Sequence, residues 1–205
     1  MRYPKLRELK EALRALLKGP YTSRFPYEPH KPYDSFRGAP HFNQEHCIGC
    51  TACFQVCPAG AIEFKDQIIS GKARRILSVH WDKCICCGQC QANCPTEKGI
   101  VLSQEFDLAT TEEHAALFES IEKEAVLCDC CGQMIAPRDQ ILWVARKLGP
   151  LCFSNASLML FFLSKLGLGL ASKEEPKPDH DAEIIRSDRI KVLCPRCRRE
   201  AVLKS

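Results

Sequence analysis

Two stretches of this chain repeat one arrangement of thiols. Residues 47–58 read CIGCTACFQVCP and residues 84–95 read CICCGQCQANCP, offset by 37 residues throughout. Each has the form C-x2-C-x2-C-x3-C-P. Three thiolates two residues apart on a tight turn reach three corners of one cuboidal iron–sulfur cluster. The fourth cysteine is carried away by the next turn, towards the other cluster. The proline after it marks where the chain departs and offers no backbone donor. The expected sets therefore interleave. Cys47, Cys50, Cys53 and Cys94 would hold one [4Fe–4S] cluster, and Cys84, Cys87, Cys90 and Cys57 the other. With four thiolates for each cluster, no iron is left open to a substrate, so the pattern predicts electron transfer and no catalytic residue. Cys86 lies within the second run without disturbing its spacing and reads as a small filler.

Fifteen cysteines in 205 residues are more than core packing explains. Their two-residue spacings suit metals better than a disulfide framework. The opening MRYPKLRELKEALRALLKG has neither a continuous apolar stretch nor a small-residue cleavage site. Both observations point to a reducing cytoplasm. A second thiol constellation follows the repeats: Cys128-x2-Cys131-Gly132 and Cys194-Pro195-x-Cys197. Four thiolates close a tetrahedral structural site, and zinc is the expected ion. A rubredoxin-like iron or a third iron–sulfur centre would use the same four. Cys130 adjoins Cys131 and competes poorly, because adjacent cysteines chelate one ion badly. Cys152 stands among apolar residues and reads as core. His46 and His80 lie near the repeats but show no paired metal spacing.

The elements that must carry these thiols can be read around them. Ala61–Phe64 and Arg75–Trp81 have strand composition, with Ser70-Gly71 as a turn between them. Gly99–Leu102 is a short strand matching Ala61–Phe64. A helix is predicted near 111–124, and apolar stretches follow at 140–148 and 156–170. The charged KEEPKPDHDAE at 173–183 reads as an exposed loop. No apolar run is long enough to span a bilayer. LMLFFLSKLGLGL, broken by Ser164 and Lys165, reads as a buried helix in the tail or at an interface.

Ahead of the repeats, residues 5–18 form an amphipathic helix with Leu6, Leu9, Leu13, Leu16 and Leu17 on one face. Lys5, Arg7, Lys10, Arg14 and Lys18 lie opposite. Gly19-Pro20 ends it. Five prolines between 20 and 40 then favour an extended arm over a compact element, a loose linker being the plainer alternative. Residues 1–41 hold nine Lys/Arg against four Asp/Glu, whereas the net charge of the whole chain is only +4. A basic excess gathered at one end suits a docking surface, against a membrane interface or a partner. It does not suit general nucleic-acid binding. Arg196, Arg198 and Arg199 beside the last cysteine pair would suit phosphate, but no nucleic-acid motif accompanies them. A free ferredoxin would need neither arm nor helix.

The stretch EPHKPYDSFRGAPHFNQEHCIGCTACFQVCP, from Glu28 into the first run, resembles the two-cluster ferredoxin-like subunit of respiratory complex I. The step Phe36-Arg37-Gly38 belongs to that likeness, as does LSQEFDLA from Leu102 to Ala109. The C-terminal cysteine pairs depart from that pattern. They look like the hydrogenase branch of the same superfamily, the iron–sulfur subunit of formate hydrogenlyase. The resemblance covers roughly 20–135 and resumes at 188–200; residues 140–187 fall outside it. It implies an electron-transfer subunit, not itself an enzyme, of a membrane-bound [NiFe]-hydrogenase complex. The partners implied are the hydrogenase small and large subunits, membrane-arm subunits, and an electron-donor module or ferredoxin. The alternative is the corresponding subunit of NADH:quinone oxidoreductase. Its place would be peripheral, on the cytoplasmic face of the membrane. The expected architecture is α+β: a helix and docking arm over 1–40, a two-[4Fe–4S] ferredoxin-like core over 41–110, and a C-terminal module over 111–205 with a four-cysteine zinc site.

Overall fold

A computed structural model describes residues 5–19, 22–111, 117–167 and 191–203. The predicted loop at 173–183 and the last residues of the apolar stretch at 156–170 lie outside them. The chain divides into two units, Met1–Phe36 and Arg37–Ser205.

The first unit contains one helix, α1 (Leu6–Lys18). The Glu8 carboxylate accepts from the Lys5 backbone N–H at 3.0 Å, satisfying a donor that the first turn leaves orphaned. Gly19, at φ +83°, closes the other end. The five leucines form the stripe that their spacing predicts, and all are at least 59% exposed. Residues 22–36 follow with turns and no helix or strand.

The second unit is α+β. A two-stranded antiparallel sheet pairs β1 (Pro40–Phe42) with β4 (Ile100–Leu102). Each cysteine run enters a single helical turn, α2 (Ala52–Gln55) in the first and α3 (Gln89–Ala92) in the second. Between the runs, β2 (Ile62–Ile69) and β3 (Lys72–His80) form a hairpin. Its turn is the expected Ser70-Gly71, with φ of +51° and +78°. Both positive φ values match the right-handed twist of the strands.

The predicted helix near 111–124 is corrected. Residues 112–116 lie outside the description, and Phe118–Leu127 is a strand, β5, antiparallel to β3. The glutamates and lysines of FESIEKEAVL are good helix formers, but tertiary pairing overrides so weak a preference. The segment alternates, with Ile121 and Lys123 buried and their neighbours exposed. Such a period-2 face fits the open edge of β3. β6 (Met134–Pro137) completes a sheet of order β2-β3-β5-β6. Ile62, Leu77, Val79, Ile100 and Ile121 form one core with Cys47, Cys53 and Cys90. A residue from beyond the repeats thus shares the core of the repeats.

Beyond β6 run α4 (Arg138–Leu148), a 3₁₀ turn (Gly149–Ser154), α5 (Ala156–Lys165) and α6 (Pro195–Leu203). Asn155 caps α5, its side-chain oxygen accepting from the Leu158 N–H at 3.1 Å. Cys152 is buried, as its apolar setting suggests. No single described helix is long and apolar enough to cross a membrane.

Candidate metal centres

The eight cysteines of the repeats face two separate cavities. Cys47, Cys50, Cys53 and Cys94 line one, with Phe42, Leu77 and Ile100 among the apolar walls, around about 310 Å³ of atom-free space. Cys57, Cys84, Cys87 and Cys90 line the other, with Pro40, Ile62 and Leu102, around about 350 Å³. In each, three thiols come from one run and the fourth from the other. Cys86 also borders the second cavity. Its φ is +51°, and its N–H donates to the Cys84 sulfur at 3.4 Å, so here its backbone serves a neighbouring thiol.

Local backbone makes these turns possible. Thr51 and Gly88 both have positive φ at the entry to their helical turns, at 64° and 82°. Gly99 is required for space: a Cβ there would meet the Cys94 sulfur at 3.0 Å and the Thr96 hydroxyl at 2.8 Å. That hydroxyl lies 3.3 Å from the Cys94 sulfur. Across the molecule the Ala61 N–H donates to the Cys57 sulfur at 3.3 Å. Arg37 reaches the second run, donating to the Cys87 carbonyl at 2.9 Å.

Burial governs the chemistry of these thiols. Desolvation pushes the Cys53 thiol up to about 12, and the neighbouring Cys47 and Cys50 sulfurs add to it. Cys84 is pushed up to about 11, again chiefly by desolvation. Cys47 and Cys90 are raised for the same first reason. Thiolates crowded into apolar walls repel one another and lose hydration. Only a polycationic centre would hold four of them deprotonated there, and metal loading must expel their protons. The donor set and the cavities fit a thiolate-ligated iron–sulfur centre.

The tail brings its four expected thiols together. The sulfurs of Cys128, Cys131, Cys194 and Cys197 all lie within 4.8 Å of one another, forming a four-thiol site able to hold a metal ion. The closure is non-local. The Asp129 N–H donates to the Val192 carbonyl at 3.0 Å, while the Val192 N–H donates to the Asp129 carboxylate at 2.6 Å. The Ser157 hydroxyl bonds the Leu193 carbonyl at 3.0 Å. Cys130 is half-buried against the cluster but is not one of the four. Burial raises Cys128, but backbone N–H groups, that of Cys194 at 3.3 Å among them, outweigh it and hold the thiol below its ordinary value. Cys197 is pushed far up, by burial and then by its thiol neighbours. His46 bonds the Asn43 side chain at 3.1 Å, and His80 lies 4.0 Å from Glu63; neither approaches a thiol cluster in these contacts.

Sequence reasoning missed the residues that wall the first cavity from behind. Lys123 is 6% exposed, on the buried face of β5. Pro137 packs beside it: a Cβ on Gly49, between Cys47 and Cys50, would lie 3.0 Å from Pro137 and 3.4 Å from Lys123. The available signal was the alternation Ile121-x-Lys123-x-Ala125.

Residues 46–98 match the family model described as a 4Fe-4S dicluster domain. The NAD(P)H-quinone oxidoreductase subunit I of Gloeobacter violaceus is 31% identical over 106 residues, covering 50% of this chain and 50% of that protein. The same subunit from chloroplasts and other cyanobacteria recurs among the relatives. Formate hydrogenlyase subunit 6 of Escherichia coli is 34% identical over 125 residues, covering 60% of this chain and 66% of that protein. The chain therefore spans about half to two-thirds of the curated relatives it matches. It is similar to these oxidoreductase and hydrogenlyase subunits, and its 4Fe-4S dicluster likeness lies over residues 46–98. A chain in the membrane-bound sulfane sulfur reductase, an archaeal respiratory membrane complex, aligns with a TM-score of 0.38 at 29% identity, over 55% of this chain and 60% of that one.

Proposed function

We propose that this chain is the two-cluster electron relay of a membrane-associated respiratory oxidoreductase complex. The observation that carries the reading is the sorting of eight repeat cysteines, four and four, around two cavities with the fourth thiol crossing over. The dicluster match over the same residues supports it. Cys47, Cys50, Cys53 and Cys94 would hold the first [4Fe–4S] cluster, and Cys84, Cys87, Cys90 and Cys57 the second. When bound, such clusters accept and release single electrons. The chain itself orients the sulfurs, excludes water with Leu77, Ile100 and Ile62, and supplies hydrogen bonds to sulfur from Ala61, Cys86 and Thr96. The relay role requires no catalytic residue of its own, as in the subunits it is related to.

Two versions of the complex differ in what lies at the far end. A quinone oxidoreductase of the complex I type is the leading one. The likeness to subunit I proteins supports it. Gly38, from the step Phe36-Arg37-Gly38, packs tightly in either version. A Cβ there would lie 2.2 Å from the Glu105 carbonyl oxygen. The formate hydrogenlyase version, with hydrogenase small and large subunits as partners, is favoured by the alignment that extends over more of this chain. In both, α1 and the arm dock the subunit peripherally on the cytoplasmic face. The tail site is proposed to hold zinc. Thiolates about 2.3 Å from a tetrahedral zinc stand about 3.8 Å apart, and the Cys131–Cys194 sulfur pair is at 3.7 Å.

The decisive test is Cys57→Ser in the full chain, with iron analysis and EPR of the reduced protein. The wild type should hold about eight irons. The variant should lose the signal of the cluster held by Cys84, Cys87 and Cys90 and keep the other. Loss confined to the Cys47 cluster would refute the assignment.

A further inference from the structure

Among the described residues, Lys123 is the one buried charged side chain. Its ammonium donates to the Gln44 carbonyl at 2.5 Å, three residues before Cys47, and faces the Asp139 carboxylate at 3.2 Å. Asp139 is half-exposed, so water weakens its side of the pair. The β5–β6 edge that carries Lys123 and Pro137 lies against the Cys47–Cys50 turn through Gly49, whose φ of +70° and lack of a side chain permit the approach. The ammonium therefore acts on the first ligand set through a poorly solvated interior, where charges are weakly screened.

The other charges nearby do not duplicate it. Arg75 donates to the Gly49 carbonyl at 3.1 Å, but its charge is matched by Asp66 at 2.7 and 2.8 Å. Arg37 touches the second run from an exposed position. The two cavities thus differ in one buried, incompletely neutralised cation.

We infer that Lys123 is a positioning charge that raises the reduction potential of the centre held by Cys47, Cys50, Cys53 and Cys94 relative to the other. The inference rests on the two-cluster reading. Reduction adds one electron to a cluster and neither makes nor breaks a bond. A buried positive charge stabilises the more negative, reduced form, since net charge and surroundings set the potentials of such clusters. Asp139 opposes this, so the Lys123–Asp139 pair is a two-sided adjustment. The segment beyond the repeats thereby biases where an electron rests.

The test is an EPR-monitored redox titration of the full, cluster-loaded chain, comparing wild type with Lys123→Met and Asp139→Asn. Lys123→Met should lower the potential of the first cluster by about the equivalent of a tenfold change in its reduced-to-oxidised ratio, 59 mV for one electron. The second cluster should stay where it is. Asp139→Asn should move the first cluster the opposite way, a sign that mere loosening of the wall would not produce. Lys123→Met with full iron and an unmoved first potential overturns the inference and leaves the two-cluster reading standing. Equal shifts of both clusters overturn it as well. Should Lys123→Met fail to load iron, Asp139→Asn decides: an unmoved or lowered first potential counts against the inference. A wild type with fewer than two clusters removes the underlying reading itself.

Discussion

Replacing Gly38 with alanine tests the frame that holds the second cavity. The added Cβ would lie 2.2 Å from the Glu105 carbonyl oxygen and 2.8 Å from its nitrogen. Both are backbone atoms, so no rotamer change relieves the clash. The strands must part. Bonds at risk are Gly38 N–H to the Ser103 carbonyl at 2.9 Å, Ala39 N–H to the Glu105 carbonyl at 3.2 Å, and Ser103 N–H to the Ala39 carbonyl at 2.8 Å. Losing two or three at about 1 kcal/mol each, with about 1–3 kcal/mol of overpacking, gives a gross cost of about 3–6 kcal/mol. The stiffer unfolded chain returns about 0.4–1 kcal/mol. In a unit of this size the net loss should lower the melting temperature by about 10 °C. The damage should be local at first. Pro40 and Leu102 wall the second cavity, the Pro40 carbonyl accepts from the Trp81 indole at 2.9 Å, and Arg37, which reaches the second run, immediately precedes Gly38. Thermal scans of Gly38→Ala, read by circular dichroism and by cluster absorbance, should show early loss at the Cys84–Cys87–Cys90 cluster. Gly60→Ala is the control: its φ is +60° and nothing lies within 4 Å of the added Cβ, so only backbone strain of about 1–2 kcal/mol applies. A Gly38→Ala protein melting within about 2 °C of wild type, or no lower than the control, would refute the steric argument.

Zinc bound at pH 7 by Cys128, Cys131, Cys194 and Cys197 of the metal-free chain should release protons, because thiols ligate the ion as thiolates. Calorimetry in buffers of differing ionisation enthalpy counts them, and a release below one would mean the four thiols do not bind as thiolates. Cys194→Ser should cost the zinc and expose the 128–203 region to protease; unchanged proteolysis of a zinc-free protein would sink the structural role of that ion. In the metal-free chain, the raised Cys53 thiol favours the folded state fully below the unfolded value of 9.0. That contribution is lost as pH rises towards about 12. Urea midpoints should therefore fall across that window, and a flat profile contradicts the burial of Cys53. Deleting residues 1–36 should leave both clusters loaded, since every proposed ligand lies at or beyond Cys47, yet free the subunit from its membrane fraction. Retention of the truncated chain there would end the docking role of α1.

Much of the site was legible because its information is local. Spacing within each run fixes three thiols on one turn, and Ser70-Gly71 carries its own hairpin signal. The leucine stripe of α1 likewise needs nothing beyond a period of 3.6. What escaped depends on partners distant in sequence. FESIEKEAVL is compatible with a helix until the open edge of β3 is offered to it. β1 is three residues long, too short to show a period. The tail thiols showed their pair spacing, but their closure depends on Asp129 meeting Val192 and Ser157 meeting Leu193, which spacing does not encode. Lys123 carried no local signal of its role because its burial is conferred entirely by the sheet it joins.

The place of β5 in that sheet also constrains how the protein is made. All eight repeat cysteines leave the ribosome before the strand that backs the Cys47–Cys50 turn. Until residues 118–137 follow, β3 has an open edge and the turn lacks Lys123 and Pro137 behind it. Strand addition from a later segment closes contacts of high sequence separation, which are slow to form. A nascent chain thus passes through an interval in which its first thiol set is complete but more accessible than in the finished fold. The same order makes the C-terminal half a late seal on the first cavity, so a chain truncated before residue 118 would expose that thiol set to chelators and oxidants.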